Sequence, residues 1–287
     1  MIDSAGRPDM KISSGRVLLS CLILAGAPLA MTPEAAAQHV GDNSWIVAGA
    51  YFPDIDTEVS IARPGEEEFA TLVDFESDLA LSDRDVLPSL SAGTRLDRKW
   101  RIEGEFFTLK RKGEKTLERD ITFDGVTYPV SASAQSEFSS DIYRLTVGYS
   151  FIRRPNFELG ASLGVHATNF TVSIRGEGQV GNAAASTEVR RREVLAPLPT
   201  VGVYAMYQIL PNVGLGARAD YFTLKIGDYD GKLLNVRAEA SYALSDNFRI
   251  GAMYRHVKYR VDIEKRAYTG RISYEFNGPA VFLELAL

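Results

Sequence analysis

The segment His166-Ala167-Thr168-Asn169 sets an imidazole two residues before a hydroxyl. A hydroxyl activated by a neighbouring histidine is a nucleophile for acyl transfer, so chemistry is sought here first. The surrounding sequence alternates with period two, which puts His166 and Thr168 together on the polar face of a strand. A hydrogen-bonded histidine is the expectation there, not a nucleophilic pair. "GEGQVG", Gly176 to Gly181, matches the dinucleotide fingerprint, but that motif needs a buried strand before it and a helix after it. Arg175 precedes it on an alternating stretch, so a flexible loop is expected and no cofactor. "DIDTE", Asp54 to Glu58, opens like a calcium loop. Val59 stands where its glycine belongs and Gly65 where its closing glutamate belongs, so a solvated acidic loop is expected. "RRRE", Arg190 to Glu193, offers guanidinium groups of the kind that bind phosphate in a bidentate manner, and is read as the end of a loop. His39 and His256 form no cluster with His166, and no metal is expected.

The largest ionisable set is a face and not a motif. Arg95, Arg101, Glu103, Glu105, Arg144, Glu158, His166, Arg218, Asp220, Arg237, Glu239, Arg249, Arg271 and Glu275 alternate with apolar residues along successive segments. "LLNVRAEASYAL", Leu233 to Leu244, shows the pattern: Leu234, Val236, Ala238, Ala240, Tyr242 and Leu244 share one side, and Arg237 and Glu239 the other. The same order recurs in "WRIEGEF" (100–106), "IYRLTVGYSF" (142–151), "FELGASLGVHA" (157–167), "VGLGARADY" (213–221) and "RISYEF" (271–276), where Ile272, Tyr274 and Phe276 oppose Arg271 and Glu275. Repetition of period two on this scale specifies strands.

Two arrangements would satisfy such strands. A soluble sandwich turns the charged face to water, whereas a membrane barrel turns the apolar face to lipid and the polar face to its lumen. Turn lengths favour the barrel. Short turns at 96–100, 153–156, 210–212 and 244–247 alternate with long polar segments at 53–86, 111–137 and 174–192, the sorting found in outer-membrane barrels. Aromatics at the ends of the apolar faces (Trp100 and Phe106, Tyr143 and Phe151, Tyr221, Tyr242) fit the two interfacial girdles. The uncharged run 194–217 is long enough for a membrane helix, but Pro197, Pro199 and Pro211 favour two strands.

The N-terminus supplies the route. Lys11 and Arg16 precede the uncharged "VLLSCLILAGAPLAM", and Ala35 and Ala37 supply small residues before a cleavage point. Residues 1–37 are therefore read as a removed signal peptide and 38–287 as the barrel. The sole cysteine, Cys21, lies in the signal, so neither a disulfide nor a cysteine-bound metal is expected in the mature chain. A net charge of −5 argues against a nucleic-acid partner.

The fold class is thus all-β: a closed antiparallel transmembrane β-barrel of about ten strands. Eight and twelve are the bounds, because 71–76 is read either as a strand or as loop and the apolar phase flips across Asn277-Gly278-Pro279. A bulge there is preferred to a hairpin.

Several segments together resemble a family of proteobacterial outer-membrane β-barrels of unassigned function. They are "YFPDIDTEV" (51–59), "TLVDFESDLALSDRDVLP" (71–88), "IYRLTVGYSF", "LGVHATNF" (163–170), "APLPTVGVYAMY" (196–207) and "GPAVFLELAL" (278–287). The resemblance implies the outer membrane of a Gram-negative bacterium, with its lipid, its lipopolysaccharide and the barrel assembly machinery as partners. "HATN" also looks like the His-x-Ser-Asn core of outer-membrane lipid hydrolases, with Thr168 for serine and Phe170 where a small residue is expected. Mixed charges pair across strands and fill a narrow lumen, whereas a ring of one sign would select ions. The functional expectation is a largely occluded barrel, structural or binding through its loops, and not an enzyme. A narrow channel for ions or small solutes is the alternative, and a lipid-modifying enzyme a more distant one.

Overall fold

The computed structural model describes residues 43–287 apart from 64, 67, 69, 181 and 182. The export segment lies outside the described residues. The strands are β1 (Ser44–Tyr51), β2 (Asp54–Ala62), β3 (Val73–Asp74), β4 (Leu87–Arg95), β5 (Trp100–Thr116), β6 (Ile121–Phe123), β7 (Val126–Tyr128), β8 (Ser133–Arg154), β9 (Phe157–Val180), β10 (Ala183–Leu210), β11 (Val213–Ile226), β12 (Tyr229–Ala243), β13 (Phe248–Lys265) and β14 (Tyr268–Ala286). Ten of them, β1, β4, β5 and β8 to β14, follow one another in a hydrogen-bonded antiparallel ring that closes where β14 pairs with β1. Closure leaves no unpaired edge facing hydrocarbon, where an unpaired peptide group costs several kcal/mol.

Along the longer strands the outward side chains change character. On β9 the outward residues Leu159, Ala161, Leu163, Val165 and Ala167 give way to Asn169, Thr171, Ser173 and Arg175. On β12, Tyr242 to Leu234 give way to Lys232 and Asp230. From Leu159 to Ala167 a strand advances roughly 26 Å. A tilt near 40° makes that about 20 Å of height, close to the apolar band of an outer-membrane barrel. Aromatics mark both edges of the band. Trp100 packs edge-on against Tyr149 at 4.9 Å near the short turns, and Phe106 against Tyr143 at 5.1 Å near the long loops.

The interior changes at the same height, in the opposite sense. Below the upper aromatics it holds arginines and carboxylates. Above them it holds Phe107, Leu109, Phe138, Ile142, Phe170, Val172, Val257, Tyr259, Ile272, Tyr274 and Phe276, all buried in one apolar cluster. The barrel therefore has two storeys. The lower is apolar outside and ionic inside, and the upper is charged outside and apolar inside. Each storey gives its outer face to the solvent it meets.

This inversion corrects the expected bulge. β14 keeps one register against β13 from Phe248↔Leu285 to Lys265↔Tyr268, and against β1 and β2 from Trp45↔Ala286 to Ala62↔Thr269. The apolar phase flips at Asn277-Gly278-Pro279 because the strand passes from one storey to the other, with no inserted residue. The long polar segments are also more ordered than expected. Residues 53–86 contain β2, which continues the line of β1 along β14, and 174–192 carries β9 and β10 onward as a hairpin. The segment 71–76 contributes only the two-residue β3, outside the ring.

Two pieces close the upper storey. Phe75, Leu79 and Leu81 are buried in the apolar cluster, bringing residues 73–82 inward. The β6–β7 hairpin buries Ile121, Phe123, Val126 and Tyr128, and turns at Asp124-Gly125, both with positive φ (51° and 70°). That is the backbone of a type I′ turn, which an Asp-Gly pair suits.

At the other end, Asp97 holds the 96–99 turn by accepting backbone N–H groups of Lys99 and Trp100, at 2.6 and 2.8 Å. These bonds hold its carboxyl below the usual carboxylate range. A depressed folded value stabilises the turn above the ordinary carboxylate pKa of about 3.9, and that support is lost as pH falls through the lower folded value. The protection of the Lys99 and Trp100 amides against exchange, relative to the intrinsic rate at each pH, is therefore expected to fall on acidification through this window. Asp97→Asn should show no such step, and a step of equal size in both proteins would refute the assignment.

Candidate functional site: the ionic layer of the lower storey

Seven arginines and six carboxylates form this layer, each placed inward by strand alternation. Arg144 on β8 is the hub, donating to Glu105 on β5 and to Asp220 on β11. Arg218 donates to both oxygens of Asp220, at 2.9 and 3.0 Å, and reaches Glu103 at 3.5 Å. Arg255 donates to Glu105 at 2.7 Å and to the Asn235 side-chain oxygen Oδ1 at 2.9 Å, with its guanidinium 4.8 Å from the Phe107 ring. Arg237 lies 3.5 Å from Glu103 and 3.6 Å from Glu239. Nearer the short turns, Arg101 bonds Glu103 at 2.9 Å and lies 4.1 Å over the Tyr204 ring. Arg95 binds Glu158 through both nitrogens, at 3.0 and 2.5 Å, and Arg249 binds Glu284 at 2.5 Å.

Missing side chains make room for these groups. A Cβ on Gly160 would stand 2.3 Å from the Tyr204 hydroxyl, and one on Gly202 would stand 2.3 Å from Asp220 Oδ1. Tyr204 then reaches Ser150 at 2.9 Å, and Ser150 donates to Glu158. Among these groups lies a cavity of about 50 Å³, lined by Arg95, Arg101, Arg237, Glu103, Glu239 and Met206 among others. That is room for a few water molecules.

Of the residues read from the sequence, Arg95, Arg101, Glu103, Glu105, Arg144, Glu158, His166, Arg218, Asp220, Arg237, Glu239 and Arg249 all face the interior. Arg271 and Glu275 do not, which corrects their assignment. They stand on the outer wall of the upper storey, where Arg271 pairs with Asp262 at 2.5 Å and Glu275 with Lys258 at 3.0 Å. Ile272, Tyr274 and Phe276, assigned to lipid, point inward instead. Arg255, Tyr204 and Glu284 were not expected in this layer. Arg255 shares the parity of Arg249 on β13, which suffices to place it inward, and a correct phase for β14 would have shown Glu284, which lies directly opposite Arg249.

The other motifs resolve by position. His166 and Thr168 are both fully buried at the boundary of the storeys, with His166 Nε2 3.5 Å from the Tyr274 hydroxyl. Both side chains point into the barrel interior and not toward the lipid face. Gly176 to Val180 continue β9, and the chain resumes as β10 at Ala183, with no helix among the described residues of this hairpin. Asp54, Asp56 and Glu58 share the outer face of β2, and Asp54 is taken by Arg84 at 2.7 Å. Arg191 pairs with Glu193 at 3.2 Å on the outer face of β10. No group of three or more potential metal ligands occurs among the described residues.

The ring of ten strands, its girdled apolar band and its ionic interior define an outer-membrane β-barrel of the bacterial type. Among solved structures the chain is similar to the outer membrane protease OmpT from Escherichia coli, with 12% identity over 85% of this chain and 97% of that one and a TM-score of 0.51. It is more weakly similar to a FadL homologue from Pseudomonas aeruginosa (10% identity, 85% and 90% coverage, TM-score 0.36). It is also weakly similar to Ail from Yersinia pestis (11% identity, 84% and 99% coverage, TM-score 0.31). At these identities the likeness is one of fold. No protein-family model matches the sequence, and neither does any curated protein.

Proposed function

We propose that this is an occluded barrel of the Gram-negative outer membrane, reached by a cleaved signal peptide and inserted by the barrel assembly machinery. Its role is structural or binding, exercised by the charged outer wall of the upper storey and its loops, and not enzymatic. One observation supports this reading above others: the lumen is filled twice over. Paired ions occupy the lower storey. Above them an aromatic column runs from Phe75 through Phe138 (5.5 Å), Phe170 (6.1 Å) and Tyr259 (5.6 Å) to Tyr274 (4.8 Å). A diffusion pore needs a continuous water path, and two stacked fillings of opposite polarity argue against one.

Planar-bilayer recording tests this. The purified protein is expected to give no steady conductance step in symmetric salt. A stable step of nanosiemens size from folded protein would replace the reading by that of a channel. Lipid and lipopolysaccharide are the proposed surroundings, and a ligand for the loops is sought among partners that bind a mixed-charge surface. The protease named in the OmpT match supports no catalytic role here, because the likeness extends to fold alone.

A further inference from the structure

Two neighbouring short turns, 96–99 and 153–156, bring Arg98, Lys99, Arg153 and Arg154 to one rim of the barrel. The turns are adjacent because β5 pairs with β8 (Trp100↔Tyr149), and the Ser150 N–H donates to the Lys99 carbonyl at 2.8 Å. Between them lies an open groove of about 610 Å³, lined by all four cations with Ser150, Phe151 and Pro155.

The nearby acids are already committed. Asp97 accepts the two backbone N–H groups of its own turn, and Glu158 is bound by Arg95 and Ser150. The cations are also held in place. Arg153 donates to the Arg98 carbonyl at 3.0 Å, and Lys99 donates to the Tyr149 hydroxyl at 3.3 Å, over whose ring it lies at 5.6 Å. With Glu158 matched by Arg95, the four cations outnumber the one remaining carboxylate, Asp97, and leave a net positive groove that suits an anion. Its location selects the anion. Trp100 and Phe151, 44% and 51% exposed, point outward at the same level and belong to the aromatic girdle. Girdle residues lie at the depth of lipid headgroups, so the groove opens where a headgroup phosphate sits.

We infer that this groove binds the phosphate of an anionic glycerophospholipid in the leaflet at the short-turn end. Arg98 and Arg154 take the phosphate oxygens in bidentate fashion, Lys99 and Arg153 add positive charge, and Trp100 and Phe151 lie along the acyl chains. The inference goes beyond the proposed function and needs only that the band lies in a bilayer, so conductance and lipid selectivity fail independently.

Trp100 reports on the site. With Trp45→Phe as background it is the sole tryptophan of the mature chain. The protein is reconstituted in phosphatidylcholine vesicles carrying brominated phosphatidylglycerol or, at equal mole fraction, brominated phosphatidylcholine. Phosphatidylglycerol is expected to quench Trp100 several-fold more strongly, with the excess reduced in high salt. Neutralising the four cations to glutamine should remove the preference. Arg98→Gln/Arg154→Gln, which touches only exposed side chains, should at least halve it if the fourfold variant does not fold. Lys110→Gln/Lys112→Gln, a change of charge at the other end, should leave it intact. Equal quenching by the two lipids, or equal loss in the control, overturns the inference. So does charge-dependent sedimentation with purified peptidoglycan in the absence of a lipid preference, since the groove would then belong to the cell wall.

Discussion

Arg144→Leu lowers the stability of the barrel in denaturant titrations by about 3 kcal/mol or more, while Ala240→Leu changes it by no more than about 0.5 kcal/mol. Arg144 is the buried hub that holds Glu105 and Asp220 together from a third strand. Removing it leaves two carboxylates out of reach of bulk water, and breaking a buried pair from one side strands charge at a cost of roughly 3–5 kcal/mol. The loss stays near the lower figure because Arg255 still grips Glu105 and Arg218 still grips Asp220. Ala240 faces lipid on β12, where extra methylene groups meet acyl chains. A double-mutant cycle separates the terms. Because Arg144→Leu and Asp220→Asn remove the same ion pair, the double variant should depart from the sum of the two single losses by about 1 kcal/mol or more. If Arg144→Leu and Ala240→Leu cost the same, the two faces of the wall have been assigned wrongly.

The second large effect is expected at the loop end. Arg111 on β5 is buried and donates to Glu76, to the Ser82 carbonyl at 2.9 Å and to the Thr57 hydroxyl at 2.6 Å. Glu76 also accepts the Thr57 backbone N–H at 2.8 Å. One guanidinium thus ties residues 76–82 to both β2 and β5. Arg111→Ala leaves a half-buried carboxylate without its cation and empties the space the side chain filled, a loss of about 3 kcal/mol. The visible result is cleavage between residues 72 and 86 by protease added to intact vesicles, at concentrations that leave the wild type whole. Conductance should stay absent in this variant, because the ionic layer of the lower storey is untouched. Glu76→Gln should be milder, since an amide oxygen still accepts from Thr57. A variant that conducts as soon as residues 72–86 loosen would mean that the lower storey is open to ions after all.

Much of this was legible in the residues. Alternation located the ten walls of the ring, because in the lower storey lipid and lumen impose opposite polarity on odd and even positions, and Arg237 and Glu239 in "LLNVRAEASYAL" betray the lumen directly. What failed failed for one reason. "RISYEF" alternates as cleanly as "LLNVRAEASYAL", but Ile272, Tyr274 and Phe276 are inside and Arg271 and Glu275 outside. Period two reports that a wall has two different sides; which side is inner depends on whether lipid or water lies beyond. The same ambiguity made 174–192 and much of 53–86 read as loops, because strands that leave the bilayer lose their apolar outer face and look polar. Partners within the ionic layer were beyond reach for another reason. Arg144 and Asp220 are separated by many residues and meet only because the ring closes.

The coincidence of the two polarity changes at a single height gives the molecule a waterline. Sinking it would push first His256 and Asn277, then Lys258 and Glu275, into hydrocarbon, and lifting it would bare Tyr254 and Leu234, so vertical drift is opposed in both directions. A bilayer of the wrong thickness must therefore deform to meet this protein, which makes it a candidate for sorting by membrane thickness rather than a passive passenger.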